Sequence, residues 1–264
     1  MTDSNSQASP SLGETGVSCG TFLMEFNTPG AGLLAHHAGA DFVFWDLQHT
    51  GWTFTEIAMG VGSLRGRDTV AGVRVPAANP ADIGRALDLG AEMIMVPAVR
   101  DATQARDVVQ ASRYPVEPIP GTRAVTFSVA WDAYSKPDDV QKALSDANRR
   151  IRIFAQIETL EGLENVHNIA QVDGIDVLWV GDGDLAASLG VPGDFEASAY
   201  KNALRSVASA ARDAGKLAGF TTADPRTARD LYKIGFRIFA FGNDIKIFSE
   251  AMSNGVAVIK NKIN

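Results

Sequence analysis

With one cysteine, Cys19, the chain can form no internal disulfide, and its composition suits a reducing, cytoplasmic setting. No apolar run approaches the roughly 18 to 20 residues needed to cross a bilayer. Aromatic residues are scarce at 8%, and Lys and Arg nowhere cluster. With a net charge of −7, that scarcity excludes a nucleic-acid surface, because neutralising phosphates needs grouped cations. An anionic substrate stays admissible if positive charge is supplied locally by a metal, one arginine or a helix N-terminus. Residues 1–16 lack the basic start and apolar stretch of a secretory leader. Rich in Ser, Thr, Gln and Gly, they are expected to form a flexible tail ahead of one domain over 17–264.

What is present is a hydrophobic share of 45% and 25 glycines in 264 residues, enough for a large core built on short elements. Short apolar runs alternate with longer amphipathic ones. The runs are Gly20 to Glu25, Phe42 to Leu47, Val70 to Val75, Met93 to Pro97, Ile153 to Glu158, Val177 to Gly181, Leu217 to Thr221 and Ile238 to Phe241. Most are apolar throughout, as parallel strands buried on both faces must be. Helices over Pro29 to Ala40, Asn79 to Leu89 and Asp224 to Ile234 are marked by a proline in the first turn and a glycine at the end. The pattern predicts an α/β chain folded as a parallel (β/α)8 TIM barrel. Two inserts interrupt it: 114–150, opened by Pro115, Pro118 and Pro120, and 182–199, read as a loop after the sixth strand.

Polar residues gather where these strands end. Asp46, Gln48 and His49 follow the second, Arg74 the third, Gln156 and Glu158 the fifth, and Asp182, Gly183 and Asp184 the sixth. In a closed barrel such residues converge on one mouth, the usual place for catalysis. Any one of them could simply cap the next helix. Arg74 and Glu158 resist that reading, since an unpaired charge in an apolar strand is costly. No lysine stands at a strand end to act as a Schiff-base nucleophile, and no G-x-S-x-G motif occurs. Metal-assisted chemistry remains, with Glu158 and Asp184 as two oxygen ligands for Mg2+ or Mn2+. A phosphate site near Gly219 and Gly242 is the weaker use of the same mouth. His36 and His37 sit on a helix where packing or solvent suffices to explain them, as does packing for Trp45 and Trp52.

Seven segments then come together: FVFWDLQHTGW, AGVRVP, LDLGAEMIMVPAV, SRYP, FAQIETLEGLENV, DGIDVLWVGDGDLAASLG and AGFTTADPRTA. In this order, from about Gly20 to Phe248, the chain resembles the HpcH/HpaI aldolase family. The resemblance implies a divalent-metal-dependent aldolase that cleaves a 4-hydroxy-2-oxo acid to pyruvate, or a close 2-oxo acid, and an aldehyde. Magnesium or manganese is the implied metal, with cobalt a third option. It implies a homo-oligomer, often a hexamer, whose last helix packs on a neighbouring subunit. It also implies roles: His49 as general base, Arg74 at the enolate oxygen, and Glu158 and Asp184 on the metal. Gln156 and the backbone of Gly183 and Asp184 stand where the pyruvyl group is held. Asp88 matches an aspartate that supports the histidine, and its place at the far end of its helix would let it act only across a subunit contact. Asp46, three residues before His49, joins the catalytic group.

Gln48 stands where the family often has glutamate, and Asp182-Gly183 replaces its Pro-Ala or His-Phe. Both departures bear on the acceptor aldehyde. Two other readings belong to different classes: a related barrel that decarboxylates or isomerises a 2-oxo acid, and a non-catalytic oligomer that binds a metal and a 2-oxo acid.

Overall fold

A computed structural model describes residues 12–13 and 16–263. Eight strands run β1 Ser18–Leu23, β2 Phe42–Asp46, β3 Val70–Arg74, β4 Met93–Val96, β5 Arg152–Ile157, β6 Val177–Val180, β7 Leu217–Thr221 and β8 Phe236–Asn243. Each pairs in parallel with its neighbour, and β8 closes on β1. The expected barrel is the fold.

Helices follow the strands. They are α1 Pro29–His37, α2 Phe54–Ser63, α3 Pro80–Asp88, α4 Ala102–Ser112, α5 Val140–Arg150, α6 Leu160–Glu164 and α7 Val166–Ala170. After β6 come α8 Asp182–Ser188 and α9 Ser198–Asp213, then α10 Pro225–Ile234 and α11 Asp244–Ile263. The caps act as their residue types predict. Asn79 Oδ1 accepts from Ala81 N–H at 2.8 Å to open α3, and the Asp224 carboxylate accepts from Arg226 and Thr227 N–H to open α10.

Strand alternation sorts the side chains into two layers. Val43, Trp45, Ile94, Ile153 and Ala155 point outward and pack under the helices. Phe22, Phe42, Phe44, Met93, Met95, Phe154, Val177 and Trp179 fill the barrel itself. That filling needs space from missing side chains. A Cβ on Gly72 would meet the Phe44 ring at 2.6 Å, and one on Gly219 would meet Trp179 at 2.3 Å. Gly219 therefore makes room for an indole, which takes away one of the two glycines of the phosphate reading. Trp45 is fully buried and lies close to Gly32 and Gly60, so its role is packing.

Continuing the same alternation one step upward puts Asp46 above Phe44, Arg74 above Gly72, Gln156 and Glu158 above Phe154, and Gly181 above Trp179. The interior is thus apolar until its carboxyl-end layer, where the polar residues lie.

Both inserts hold more order than the sequence suggested. The segment 182–199, read as a loop, opens directly with α8. Its Asp182 and Asp184 favour a first helical turn, and Leu185, Ala186 and Ala187 continue it. The segment 114–150 contains a 3-10 turn at Ala130–Asp132 and then α5. Its start is pinned by Asn148 of α5, whose side chain accepts from Tyr114 N–H and donates to the Tyr114 and Val116 carbonyls. The expected tail over 1–16 lies mostly outside the described residues; Leu12 is described and buried against the barrel's lower layer.

No helix among the described residues is long and apolar enough to cross a membrane. The last helix, α11, stands apart. Ile245, Phe248, Met252, Val256 and Ile259 are all exposed along it.

Candidate active site

The strand ends build the mouth from two fixed pairs. In the first, Asp46 and Arg74 are register partners at the tops of β2 and β3. Arg74 donates from Nε to Asp46 Oδ1 at 2.8 Å and from Nη2 to Oδ2 at 2.7 Å. Asp46 is fully buried, and it also accepts from Gln48 N–H at 2.9 Å and from His49 N–H at 3.3 Å. Thr50 Oγ1 donates to its carbonyl at 2.5 Å. Four donors thus saturate this carboxylate. Asp46 has no lone pair to spare for a substrate, so the structure makes it the residue that orients Arg74 and the turn carrying His49. The guanidinium also lies 4.9 Å from the Phe22 ring centre.

In the second pair, Glu158 is buried just beyond the end of β5. Its Oε1 accepts from Ala98 N–H at 2.7 Å, and its Oε2 accepts from Gln156 Nε2. Ala98 has a φ of +50°, a left-handed conformation uncommon for alanine. That turn aims its N–H at the glutamate. Burial pushes the Glu158 carboxyl above its ordinary range, and the nearby Asp184 charge adds to the rise. The Gln156 and Ala98 hydrogen bonds and Arg74 oppose it. Asp184 itself is exposed in the first turn of α8.

These residues fit a hard divalent cation. A Cβ on Gly181 would sit 2.3 Å from Glu158 Oε2 and 2.9 Å from Gln156 Nε2, so the backbone leaves the glutamate's face clear. Two carboxylates repel each other in a partly desolvated place, and a cation between them would reverse that penalty. Gln156 Oε1 is buried with no hydrogen-bond partner, a further oxygen in want of one. Among the described residues no group of three or more His, Cys, Asp or Glu side chains could hold a metal. Glu158 and Asp184 would therefore bind it as a pair, with water or substrate completing the shell.

The remaining residues divide. His49 is exposed at the mouth, its backbone tied to Asp46. Gly183 is exposed in the first turn of α8, with nothing within 4 Å of where a Cβ would be. Asp182 is half-buried beside Asp184, and burial raises its carboxyl, with backbone N–H groups opposing the rise. Asp88 is elsewhere. It ends α3, away from the mouth, and accepts from Arg123 Nη2 at 2.7 Å. Within one chain Asp88 does not join His49.

Two contacts of the mouth lie beyond the sequence reading. Ala98 has no polar side chain to betray its N–H. Asp244 reads as a helix cap, and it does accept from Ile245 N–H at 2.9 Å. It also accepts from Met24, Glu25 and Phe26 N–H, and so fastens the turn after β1 to the end of β8. A strand-end aspartate preceded by Gly-Asn is too common a pattern to announce this.

A parallel barrel whose carboxyl-end mouth carries a buried glutamate, a neighbouring aspartate and an arginine held by a third carboxylate has the equipment of a carbon–carbon lyase. Comparison with known proteins agrees. The chain belongs to the HpcH/HpaI aldolase/citrate lyase family, whose sequence profile matches residues 22–251. It is 33% identical over 227 residues to 2-keto-3-deoxy-L-rhamnonate aldolase of Klebsiella pneumoniae, covering 86% of this chain and 83% of that one. It is 30% identical over 232 residues to hydroxypyruvate/pyruvate aldolase of Roseovarius nubinhibens, covering 88% of each. Among solved structures, an HpcH/HpaI aldolase from Desulfitobacterium hafniense superposes with a TM-score of 0.87 at 29% identity over 95% of both chains. The protein is an aldolase-type carbon–carbon lyase.

Proposed function

We propose that this enzyme reversibly cleaves a 4-hydroxy-2-oxo acid into pyruvate, or a close 2-oxo acid, and an aldehyde. The observation that carries the reading is the layer above Phe44, Gly72 and Phe154. There the Arg74 guanidinium, fixed by Asp46, and the buried Glu158 carboxylate act on each other at one mouth. Glu158 and Asp184 would hold a divalent cation, which when bound would supply Lewis acidity toward the oxygens of a 2-oxo acid. Oxygen donors alone suit Mg2+ or Mn2+, with Co2+ as a third candidate.

The chain's own residues do the rest. Asp46 engages Nε and Nη2 of Arg74, which leaves Nη1 for the substrate. A guanidinium held this way stabilises negative charge where it grows, on the C2 oxygen. His49 takes the proton from the C4 hydroxyl. The C3–C4 bond then breaks, its electron pair moves into the C2–C3 bond, and the aldehyde leaves. Protonation of the enolate at C3 gives pyruvate. Gln156, with the backbone at Gly183 and Asp184, holds the pyruvyl group, where a first-turn N–H suits a carboxylate.

Self-association completes this reading. The apolar stripe of Ile245, Phe248, Met252, Val256 and Ile259 on α11 lacks a cover in the single chain. A second copy, in a closed oligomer such as a hexamer, would bury it. The same contact could bring Asp88 to His49 of the partner subunit. A chain whose one cysteine can form no internal disulfide fits work in the cytoplasm.

Exchange of pyruvate methyl protons with heavy water, run with added metal and no aldehyde, tests the core of the proposal. Metal-dependent exchange is expected, and a panel of hydroxy-aldehydes and semialdehydes would then identify the acceptor. No exchange with any of the three metals would refute enolate chemistry here.

A further inference from the structure

One buried cation has no part in the chemistry above. The Arg123 side chain is 3% exposed, while its ion-pair partner Asp88 is 38% exposed. The Arg123 guanidinium lies 4.3 Å from the Tyr114 ring centre and 5.9 Å from that of Trp131. Three successive N–H groups dock its segment on the end of α4: Gly121 to the Tyr114 carbonyl, Thr122 to Gln110 and Arg123 to Arg113, at 2.9, 2.7 and 2.9 Å. Only glycine fits at 121, because a Cβ would stand 2.3 Å from the Arg113 carbonyl oxygen and 2.5 Å from that of Gln110. The insert therefore presents Arg123 rigidly.

Packing alone is a poor explanation for this arrangement. Arg123 Nε and the Tyr114 hydroxyl are both buried without a partner. An apolar residue would fill the same space without desolvating a charge or stranding donors. Asp88 is just as ill-placed on its own, since it ends α3, where the helix dipole disfavours a carboxylate. Arg123 holds one of its oxygens, Oδ1, and Oδ2 accepts no hydrogen bond among the described residues.

We propose that Arg123 is a positioning residue for the reaction: it grips Asp88 by one oxygen so that the other is presented to His49 of the partner subunit. The inference rests on the shared-site reading given above. It assigns a role in the chemistry to the 114–150 insert, which otherwise only packs on the barrel.

The test compares Asp88→Asn, Arg123→Lys, Arg123→Gln and the double variant Asp88→Asn/Arg123→Lys in the metal-loaded oligomer. Aldol cleavage is followed across pH, and light scattering and thermal melting report assembly. Asp88→Asn should move the acid limb of kcat to lower pH, because a neighbouring carboxylate favours the protonated imidazole. Arg123→Lys keeps the charge but not the planar fork, so it should move the limb the same way and lower kcat about tenfold, with KM for the substrate little changed. The double variant should match Asp88→Asn within about twofold, since both changes break one chain of contacts. Should Arg123→Gln fail to assemble, the lysine variant carries the test. A wild-type limb and kcat in Arg123→Lys, beside a shifted Asp88→Asn, would overturn the role of Arg123 and leave the shared site standing. So would losses that multiply in the double variant. An unshifted limb in Asp88→Asn would remove the shared site, and this inference with it.

Discussion

Arg74 and Asp46 meet as the last register pair of β2 and β3, joined by hydrogen bonds of 2.8 and 2.7 Å that use both carboxylate oxygens. The pair is nearly dry: the arginine side chain is 11% exposed and the aspartate fully buried. Breaking one side of such a pair leaves a buried charge unpaired. Asp46→Asn should therefore cost about 3 kcal/mol of stability as well as most of the activity. Arg74→Lys should lose about 100-fold or more in kcat, since one ammonium cannot serve Asp46 and the developing enolate oxygen together. Chemical denaturation and steady-state kinetics check both. A normal kcat with a raised KM in Arg74→Lys would mean that Arg74 only binds substrate.

Glu158 and Asp184 should be separable in stability yet equivalent in metal binding. Replacing either with Ala should abolish tight Mg2+ or Mn2+ binding in calorimetry, because one carboxylate cannot hold the ion against water. Asp184 is exposed, so Asp184→Ala should melt near the wild type. Gly181→Ala should also lose the metal, although it removes no ligand, since its Cβ would lie 2.3 Å from Glu158 Oε2. Wild-type affinity in Glu158→Ala would end the metal assignment.

Subunit mixing tests whether His49 and Asp88 share a site. His49→Ala and Asp88→Ala oligomers should each be nearly inactive. After dissociation and random reassembly, about one quarter of the shared sites would hold both residues intact, and activity should recover in proportion. Mixed oligomers that form yet stay inactive would show that the two residues never meet.

Glu92 provides a pH dependence of stability far from the mouth. It lies half-buried just before β4, and burial raises its carboxyl above the ordinary 4.5, with Arg150 and Arg152 partly opposing the rise. A raised folded-state value means that the native chain holds the proton longer than the unfolded one. The protonated side chain's contribution is thus complete below 4.5 and is lost as pH climbs through the raised value. Glu92→Gln has no proton to lose there. Its Tm should match the wild type in acid and exceed it near neutral pH. A constant difference across that range would contradict the burial of the charge.

Much of this was legible from sequence because its causes are local. Eight apolar runs, an Asn-Pro and an Asp-Pro helix start, and glycines at helix ends are written in neighbouring residues, and they determined the barrel. The ends of those runs, where Asp46, Gln156 and Glu158 stand, were also legible without coordinates. What the sequence could not decide is which groups answer each other across the fold. Asp46 finds Arg74 28 positions away only because β2 and β3 pair in one register. Glu158 depends on an N–H of Ala98, which no side chain announces. Asp88 is held by Arg123 because an insert folds back over the end of α4. Periodicity records which face of an element is buried. The partner across that face is set by strand register and chain reversal, and these exist only once the barrel has closed.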